Sequence, residues 1–416
     1  MRFLFTMHPA FGHFHAMVPL AQALKQHGHE VAFATGRSFG PVILRNGYSH
    51  FPCGLDFDGS TDIFEALPGW SANEAQHPTD GLKQLYGFIQ ELAPLMADDL
   101  TGLVSTWRPD VIIRDPVEFG GYIAAEYHGL PHATPIWATY ISAKALCPEA
   151  VVKLRRRYGL PDDPGLDTLD RYLVLDFLPP SWTFPNLPYP RVAHRFCAPP
   201  FDLSCGDARL PDWLSTLPRK PTVYATLGTT FNRSPGTFQA ILTALSTEPM
   251  NLILTVGRSM DPLQFGPQPD HIRIEQYIPQ TLLLPHCDAL IFHGGYNSLQ
   301  SAFWHGLPMV IIPQGAGDNL PTGWRCAAIG AGVLVEGNPP QPEAIRAAVK
   351  AVLEQPDYGA RSQEFQREIK ELPSLAEAVR RLEILAEDRS PQFCDHHLDV
   401  RSSAQAYSVE THADAG

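Results

Sequence analysis

Short, uninterrupted apolar runs punctuate the chain, and they alternate with longer stretches in which apolar residues recur at helical spacing. Residues 2–7 and 30–35 read as buried strands, and between them Met17, Leu20, Ala21 and Leu24 repeat along one face of a helix. The alternation continues through a helix-rich stretch near 79–106, a strand at 110–113, a helix near 119–128 and a strand near 132–136. Strands alternating with helices predict a parallel sheet covered by helices, because a parallel pair needs a crossover long enough to hold one.

Between about 178 and 221 the periodicity fails, and the text becomes Pro-Pro-Ser-Trp, Pro-Asn-Leu-Pro-Tyr-Pro, Ala-Pro-Pro and Leu-Pro-Arg-Lys-Pro. Proline fixes φ and removes a donor, so this stretch reads as a rigid connector. Alternation restarts with a strand at 222–227, a helix near 235–246, strands at 251–256, 289–292 and 309–312, and a helix near 296–305. A last helix is expected near 374–388, after which the polar, aperiodic sequence reads as a disordered tail. The expected fold class is α/β: two Rossmann-like, doubly wound lobes at 1–200 and 221–388, a proline-rich linker at 201–220, and a tail at 389–416. The carboxyl ends of both sheets, with their ligand loops, should face a shared central cleft.

Composition narrows the partners. At 416 residues the chain exceeds one comfortable core. With 44% apolar, 18% charged and 10% aromatic residues it is ordinary for a globular protein, and no apolar run approaches the ~20 residues of a membrane helix, so no stable membrane insertion is expected. The amino terminus reads straight into a strand, without the basic and apolar regions of a secretory leader, and the seven scattered cysteines form no Cys-x-x-Cys pair. Reduced thiols and a cytoplasmic location are expected. A net charge of −13 argues against nucleic acid as partner, yet directed N–H donors in a local pocket can still hold a small diphosphate.

Such a pocket is written after the apolar run ending at Phe292. His293-Gly294-Gly295-Tyr296-Asn297-Ser298 opens a helix, where N–H groups and the positive end of the helix dipole suit a diphosphate. Three further elements surround it in sequence. Gly228-Thr229-Thr230 closes the first strand of the second lobe and suits phosphate oxygens, with a simple tight turn as the bland reading. Tyr277-Ile278-Pro279-Gln280 offers an aromatic ring and an amide to a nucleobase, or is a strand end before a helix. The glycine-rich loop from Pro313 to Asp318 and Asn319 ends in an acid and an amide, which suit sugar hydroxyls.

In their order and spacing, Tyr-Ile-Pro-Gln, Leu-Pro-His-Cys-Asp-Ala-Leu-Ile-Phe-His-Gly-Gly, Asn-Ser, His-Gly-Leu-Pro and Pro-Gln-Gly-Ala-Gly-Asp-Asn resemble the nucleotide-sugar signature of the family 1 glycosyltransferases. That is the large inverting group with the two-lobed GT-B fold, and the resemblance is to a bacterial member of the natural-product type. It implies that His293 and the N–H groups around Gly295, Asn297 and Ser298 hold the donor diphosphate. It places Ile278 and Gln280 near the base, Asp318 and Asn319 on the sugar, and Thr229 and Thr230 on phosphate or sugar. Two positions depart from the pattern: Ser301 stands where many members carry a ribose-binding Glu, and Asn319 stands where Gln is usual.

In the first lobe, His8-Pro-Ala-Phe-Gly12-His13 resembles the family's Gly-His turn, in which the His is the catalytic base. An acceptor hydroxyl is a poor nucleophile at neutral pH, and an imidazole with pKa near ~6.5 can take its proton as the bond forms. His8 and His15 compete with His13, but only His13 follows a glycine that lets a strand turn sharply into a helix. Asp115, at the carboxyl end of the 110–113 strand, is the acid expected to orient His13, with Glu118 as the nearby alternative and Asp110 at the wrong end. Phe57, Phe64, Trp70, Tyr86, Phe88, Trp137 and Tyr140 are candidates to line an apolar acceptor pocket, two or three of them touching ligand.

Asp56-Phe57-Asp58 has the form of a metal-binding Asp-x-Asp, but it lies in the acceptor lobe, and no required metal or cofactor is expected. Cys394, His396 and His397 read as a chance cluster in the tail. The reading is an inverting, metal-independent glycosyltransferase carrying sugar from a UDP- or TDP-sugar to a small apolar aglycone, as in antibiotic biosynthesis; a homodimer is compatible with it. The rivals are an NDP-sugar epimerase or hydrolase on the same scaffold, and a non-catalytic glycosyltransferase partner.

Overall fold

A computed structural model describes residues 1–59, 63, 80–136, 143–184, 189–203, 209–229, 232–258, 260–315 and 317–394. The apolar runs become two all-parallel sheets. In the first, β1 (Arg2–Thr6), β2 (Glu30–Thr35), β3 (Ser49–Pro52), β4 (Val111–Arg114), β5 (His132–Ile136), β6 (Leu173–Asp176) and β7 (Ala193–Arg195) lie in the order β3-β2-β1-β4-β5-β6-β7. In the second, β8 (Thr222–Thr226), β9 (Asn251–Thr255), β10 (Ile272–Glu275), β11 (Ala289–Phe292), β12 (Met309–Ile311) and β13 (Gly332–Leu334) lie in the order β10-β9-β8-β11-β12-β13. Each strand order reverses at one place, between β1 and β4 and between β8 and β11, and such switch points open a crevice at the strand ends.

The central strands are apolar throughout because helices cover both faces. Phe3, Leu4 and Phe5 are wholly buried, as are Leu290, Ile291 and Phe292. Register sets the site: Thr6 pairs with Arg114, and Thr226 pairs with Phe292, so the loops leaving β1 and β4 start level, as do those leaving β8 and β11. The helix Phe11–Gln26 follows β1, and the helix Tyr296–His305 follows β11.

Three features differ from the sequence expectations. The helical stretch near 79–106 is divided, with a π-helical turn Phe88–Leu92 between the helices Asp80–Gly87 and Ala93–Trp107. The connector holds more structure than its prolines imply, since β7 closes the first sheet and Trp213 and Leu214 pack on the second lobe. The last helix, Leu375–Asp388, is expected as the end of the second lobe but packs on the first. Its stripe of Ala378, Val379, Leu382 and Leu385 joins the core formed by Phe3, Phe5, Phe14 and Met17. Cys197 N–H donates to the Pro373 carbonyl at 2.7 Å, and His29 pairs with Glu383 at 2.9 Å. An amphipathic stripe shows that a helix is buried, not which neighbour buries it.

Residues 389–394, expected as the start of the tail, are docked as well. Gln392 N–H donates to the Tyr172 carbonyl at 2.8 Å and Cys394 N–H to the Arg191 carbonyl at 2.9 Å. His396 and His397 lie outside the described residues.

Candidate active site

His13 sits in the first turn of the helix Phe11–Gln26, and Asp115 is the first residue beyond β4. Asp115 N–H donates to the Thr6 carbonyl at 2.9 Å, which ties the end of β4 to the end of β1. Across this switch point His13 Nδ1 hydrogen-bonds Asp115 Oδ2. The carboxylate can only accept, so Nδ1 carries the proton and Nε2 is the nitrogen with the lone pair. Asp115 is fully buried while the His13 side chain is 26% exposed, so the ring is the part open to a ligand.

Each partner favours the charged form of the other. Burial alone would lower the His13 pKa, but the charge and hydrogen bond of Asp115, helped by Asp318, raise it above the ordinary imidazole value. Burial works against the Asp115 charge, and His13 overcomes it to hold that carboxyl below the usual range. The competing histidines are neutral: burial lowers His8 to about 4, and burial with the Arg258 charge lowers His15 to about 3.

Glu118 does not reach His13. Its carboxylate accepts from Thr6 Oγ1 at 2.6 Å and from Gly121 N–H at 2.8 Å, and its burial pushes its pKa up to about 7. Asp110 lies at the opposite end of β4 and accepts from Arg2 N–H at 2.7 Å. Arg114 is buried beneath the pair, with Nη1 donating to the Asp115 and Pro116 carbonyls, both at 3.3 Å. No sequence signal separates this arginine from an ordinary strand-end residue.

The second lobe presents the His293 turn at its own switch point. A Cβ on Gly228 would lie 2.4 Å from His293 Cε1, and one on Gly295 would lie 2.4 Å from His293 Nε2. Two bare backbones therefore clasp the ring. Gly294 takes φ +101° against the Asn319 backbone, where a Cβ would be 2.5 Å from the carbonyl oxygen, so this turn needs glycine twice over. Burial lowers His293 to about 4, and its buried Nδ1 has no partner among the described residues. The buried Gln280 Oε1 is likewise without a partner among them.

The helix Tyr296–His305 begins at Gly295, without a side-chain cap, and its first hydrogen bond runs from Leu299 N–H to the Gly295 carbonyl. Its opening N–H groups precede that bond and point toward the crevice end of β11, as a diphosphate site requires. Ser298 and Ser301 are buried on this helix, Thr229 is exposed, and Thr230 lies outside the described residues. Asp318 is half-buried, and burial, opposed by the His13 charge, pushes it up to about 6.

Two donor-site expectations change in detail. The Asn319 side chain is buried, and its Nδ2 donates one N–H to the Gln314 carbonyl at 2.5 Å, so that amide also braces the loop. Ile278 is buried in the lobe core, which leaves only its backbone to meet a base. Sequence reasoning missed Asp202, which lies in the connector. It accepts from the N–H groups of Gln280 and Thr281 and, at 2.5 Å, from Thr281 Oγ1, thereby capping the short helix that carries Gln280.

On the acceptor side, Phe57 and Phe88 meet in a small apolar cluster with Ile63 and Leu92, and His8 stacks on Phe88 at 4.8 Å. Tyr86 packs instead against the neighbouring core of helices. Phe64, Trp70, Trp137 and Tyr140 lie outside the described residues. Asp56 accepts from Ser38 N–H at 2.6 Å, so it caps a local turn.

Comparison with known proteins follows the same division into two lobes. Residues 22–228 match the N-terminal domain, and residues 240–385 the C-terminal domain, of the family described as erythromycin biosynthesis protein CIII-like. The chain belongs to the natural-product glycosyltransferases of family 1. This glycosyltransferase is 30% identical over 345 residues to the L-demethylnoviosyl transferase of Streptomyces niveus, covering 80% of this chain and 84% of that one. It is 28% identical to the 4'-demethylrebeccamycin synthase of Lentzea aerocolonigenes, over 92% of this chain and 99% of that one. Among solved structures, the glycosyltransferase VinC in complex with DTDP superposes with a TM-score of 0.74 at 27% identity, covering 93% of this chain and 100% of VinC. The fold is GT-B.

The clasp on His293 makes a direct prediction for this enzyme. Gly295 has φ −71° and ψ 147°, open to any residue, so Gly295→Ala adds a methyl without backbone strain. The methyl would stand 2.4 Å from His293 Nε2, so the ring must shift. A His293 that donates to the donor phosphate, as the resemblance implies, would lose a charge-assisted hydrogen bond worth about 1.5–3 kcal/mol, which is roughly a 10- to 100-fold weaker Kd. Titration calorimetry with UDP and TDP should show that loss with the fold retained; an unchanged Kd would remove His293 from the donor site.

Proposed function

We propose that this glycosyltransferase inverts the anomeric centre of a UDP- or TDP-sugar, with His13 as general base and Asp115 as its partner. The observation that carries the reading is the placement of a half-buried His on a buried Asp at one switch point opposite a glycine-clasped His and an open helix N-terminus at the other. VinC is described in complex with DTDP, which supports a nucleoside diphosphate on the second lobe.

The step balances as a single displacement. An acceptor hydroxyl loses its proton to His13 Nε2 while its oxygen attacks the anomeric carbon, and the bond from that carbon to the diphosphate oxygen breaks. The electron pair leaves with the diphosphate, whose added charge meets the N–H groups at the start of the helix Tyr296–His305 and the His293 ring. Attack from the side opposite the leaving group turns an α-linked donor into a β-glycoside. Asp115 stabilises the imidazolium that forms. Asp318 faces the sugar hydroxyls, and Phe57, Phe88 and His8 form part of the wall against an apolar aglycone.

Leaving-group charge is met by protein groups in this reading, so no metal is required. A panel of UDP- and TDP-sugars with polycyclic and macrocyclic alcohols, followed by mass spectrometry and anomeric coupling constants, tests it. A product of anomeric configuration opposite to its donor's, a β-glycoside from an α-linked donor, formed undiminished in EDTA is expected; a product that retains the donor's configuration, or activity abolished by EDTA and restored by Mg²⁺, would overturn it. Donor incubated alone should not be epimerised.

A further inference from the structure

Most of the described contacts between the lobes lie elsewhere, as where Arg325 donates to the Ser181, Trp182 and Thr183 carbonyls and Gln300 Nε2 to the Ala198 carbonyl, but two reach the turn that carries His13. Asn297 Nδ2, in the second lobe, donates to the carbonyl of Gly12 at 2.8 Å, one residue before His13. The Arg258 guanidinium, at the end of β9, lies 4.8 Å from the ring centre of Phe11 and 5.9 Å from that of Tyr277. Consecutive residues of the His13 turn, Phe11 and Gly12, are thus gripped from the donor lobe. A Cβ on Gly12 would meet Asn297 only at an ordinary 3.7 Å, so the hydrogen bond, not steric crowding, makes the tie.

We propose that Asn297 is a positioning residue that sets the His13 turn of the acceptor lobe against the donor site, through its side-chain hydrogen bond to the Gly12 carbonyl. The inference rests on His13 as base and on the helix Tyr296–His305 as the diphosphate site. Asn297 is the second residue of that helix, so its backbone belongs to the leaving-group end of the reaction while its side chain holds the base end. One rigid helix then spans both. The distance from His13 Nε2 to an acceptor hydroxyl poised over the sugar is set only when the lobes meet, and about 1 Å of misplacement costs on the order of 10²-fold in rate. Arg258 braces the same turn from its exposed side.

A positioning role predicts a split between chemistry and binding. In Asn297→Ala, kcat for transfer should fall about 10- to 100-fold, with Kd for UDP and TDP within about threefold and the melting temperature unchanged. Asn297→Gln restores an amide donor and should recover part of the loss. Arg258→Ala, at an exposed side chain, should reproduce a smaller fall in kcat without loss of fold. A kcat that does not change overturns the proposal, as does a kcat that falls only in step with nucleotide affinity, the mark of a plain phosphate ligand. His13→Ala measured in parallel separates the two failures. If it transfers like wild type, the base assignment is wrong and the positioning role goes with it; if it is inactive while Asn297→Ala is unaffected, only the positioning role is lost.

Discussion

Replacing His13 with alanine is expected to lower kcat for transfer by about 10²- to 10⁴-fold while leaving the affinity for UDP or TDP within a few-fold of wild type. The loss corresponds to about 3–5.5 kcal/mol of transition-state stabilisation. The binding half follows from the division of the site: the orphaned His293 Nδ1 and Gln280 Oε1 and the start of the helix Tyr296–His305 all belong to the second lobe. His13 is 26% exposed at a helix start, so truncating it opens no core cavity, but it leaves the buried Asp115 carboxylate without its partner and should lower the melting temperature, which is measured alongside. Neither neighbouring histidine can substitute at once. His8 stacks on Phe88 with Nε2 on the Val117 carbonyl at 3.2 Å, and His15 is buried away from Asp115. Single-turnover transfer and calorimetric titration on the same preparation check both halves. Undiminished transfer would remove His13 from the chemistry, and a parallel collapse of nucleotide affinity would recast it as a donor ligand.

Much of this architecture is legible in the sequence, for a reason that also explains what is not. The strands beside the switch points, β1, β4, β8 and β11, are buried on both faces and so appear as continuous apolar runs, and the residues that leave them, His13, Asp115, Gly228 and His293, can be placed by counting. The outer strands β3, β10 and β13 carry mixed, half-buried side chains and give no such signal. Loop interiors are harder still. The sequence offers Asn319 to a sugar, while the fold turns one amide N–H inward onto the Gln314 carbonyl. Asp202 and Arg258 are invisible for another reason: their partners lie 78 positions away at Gln280 and 247 positions away at Phe11, and only packing brings them together. The helix Leu375–Asp388 shows the same limit at the scale of a whole element, since its stripe is plain but its address on the first lobe is not.

The second large effect concerns Asp115 and has a sign that can be worked out. In wild type the base form of His13 is lost as pH falls through a pKa lying above ~6.5, because the Asp115 charge outweighs burial. The acid limb of kcat should therefore sit above that value. Asp115→Asn keeps an oxygen that accepts from Nδ1–H but removes the charge, so burial becomes the dominant influence on His13 and the limb should move to lower pH. The plateau moves the other way in usefulness: an uncharged partner no longer stabilises the imidazolium formed in the transition state, and kcat at neutral pH should drop by about 10²-fold or more. The effect on stability has two opposite edges. The raised His13 pKa gives stability that is present below ~6.5 and lost as pH rises through its folded value, while the depressed Asp115 pKa gives stability present above ~3.9 and lost as pH falls through its own. Removing Asp115 should flatten both edges. Asp318, pushed up to about 6, also titrates in this range, but the His13 charge lowers it, so a His13 that loses its charge moves Asp318 up, and only a limb that moves to lower pH belongs to His13. A limb that stays in place or moves to higher pH would assign the titration to Asp318 and take the pKa argument for His13 with it.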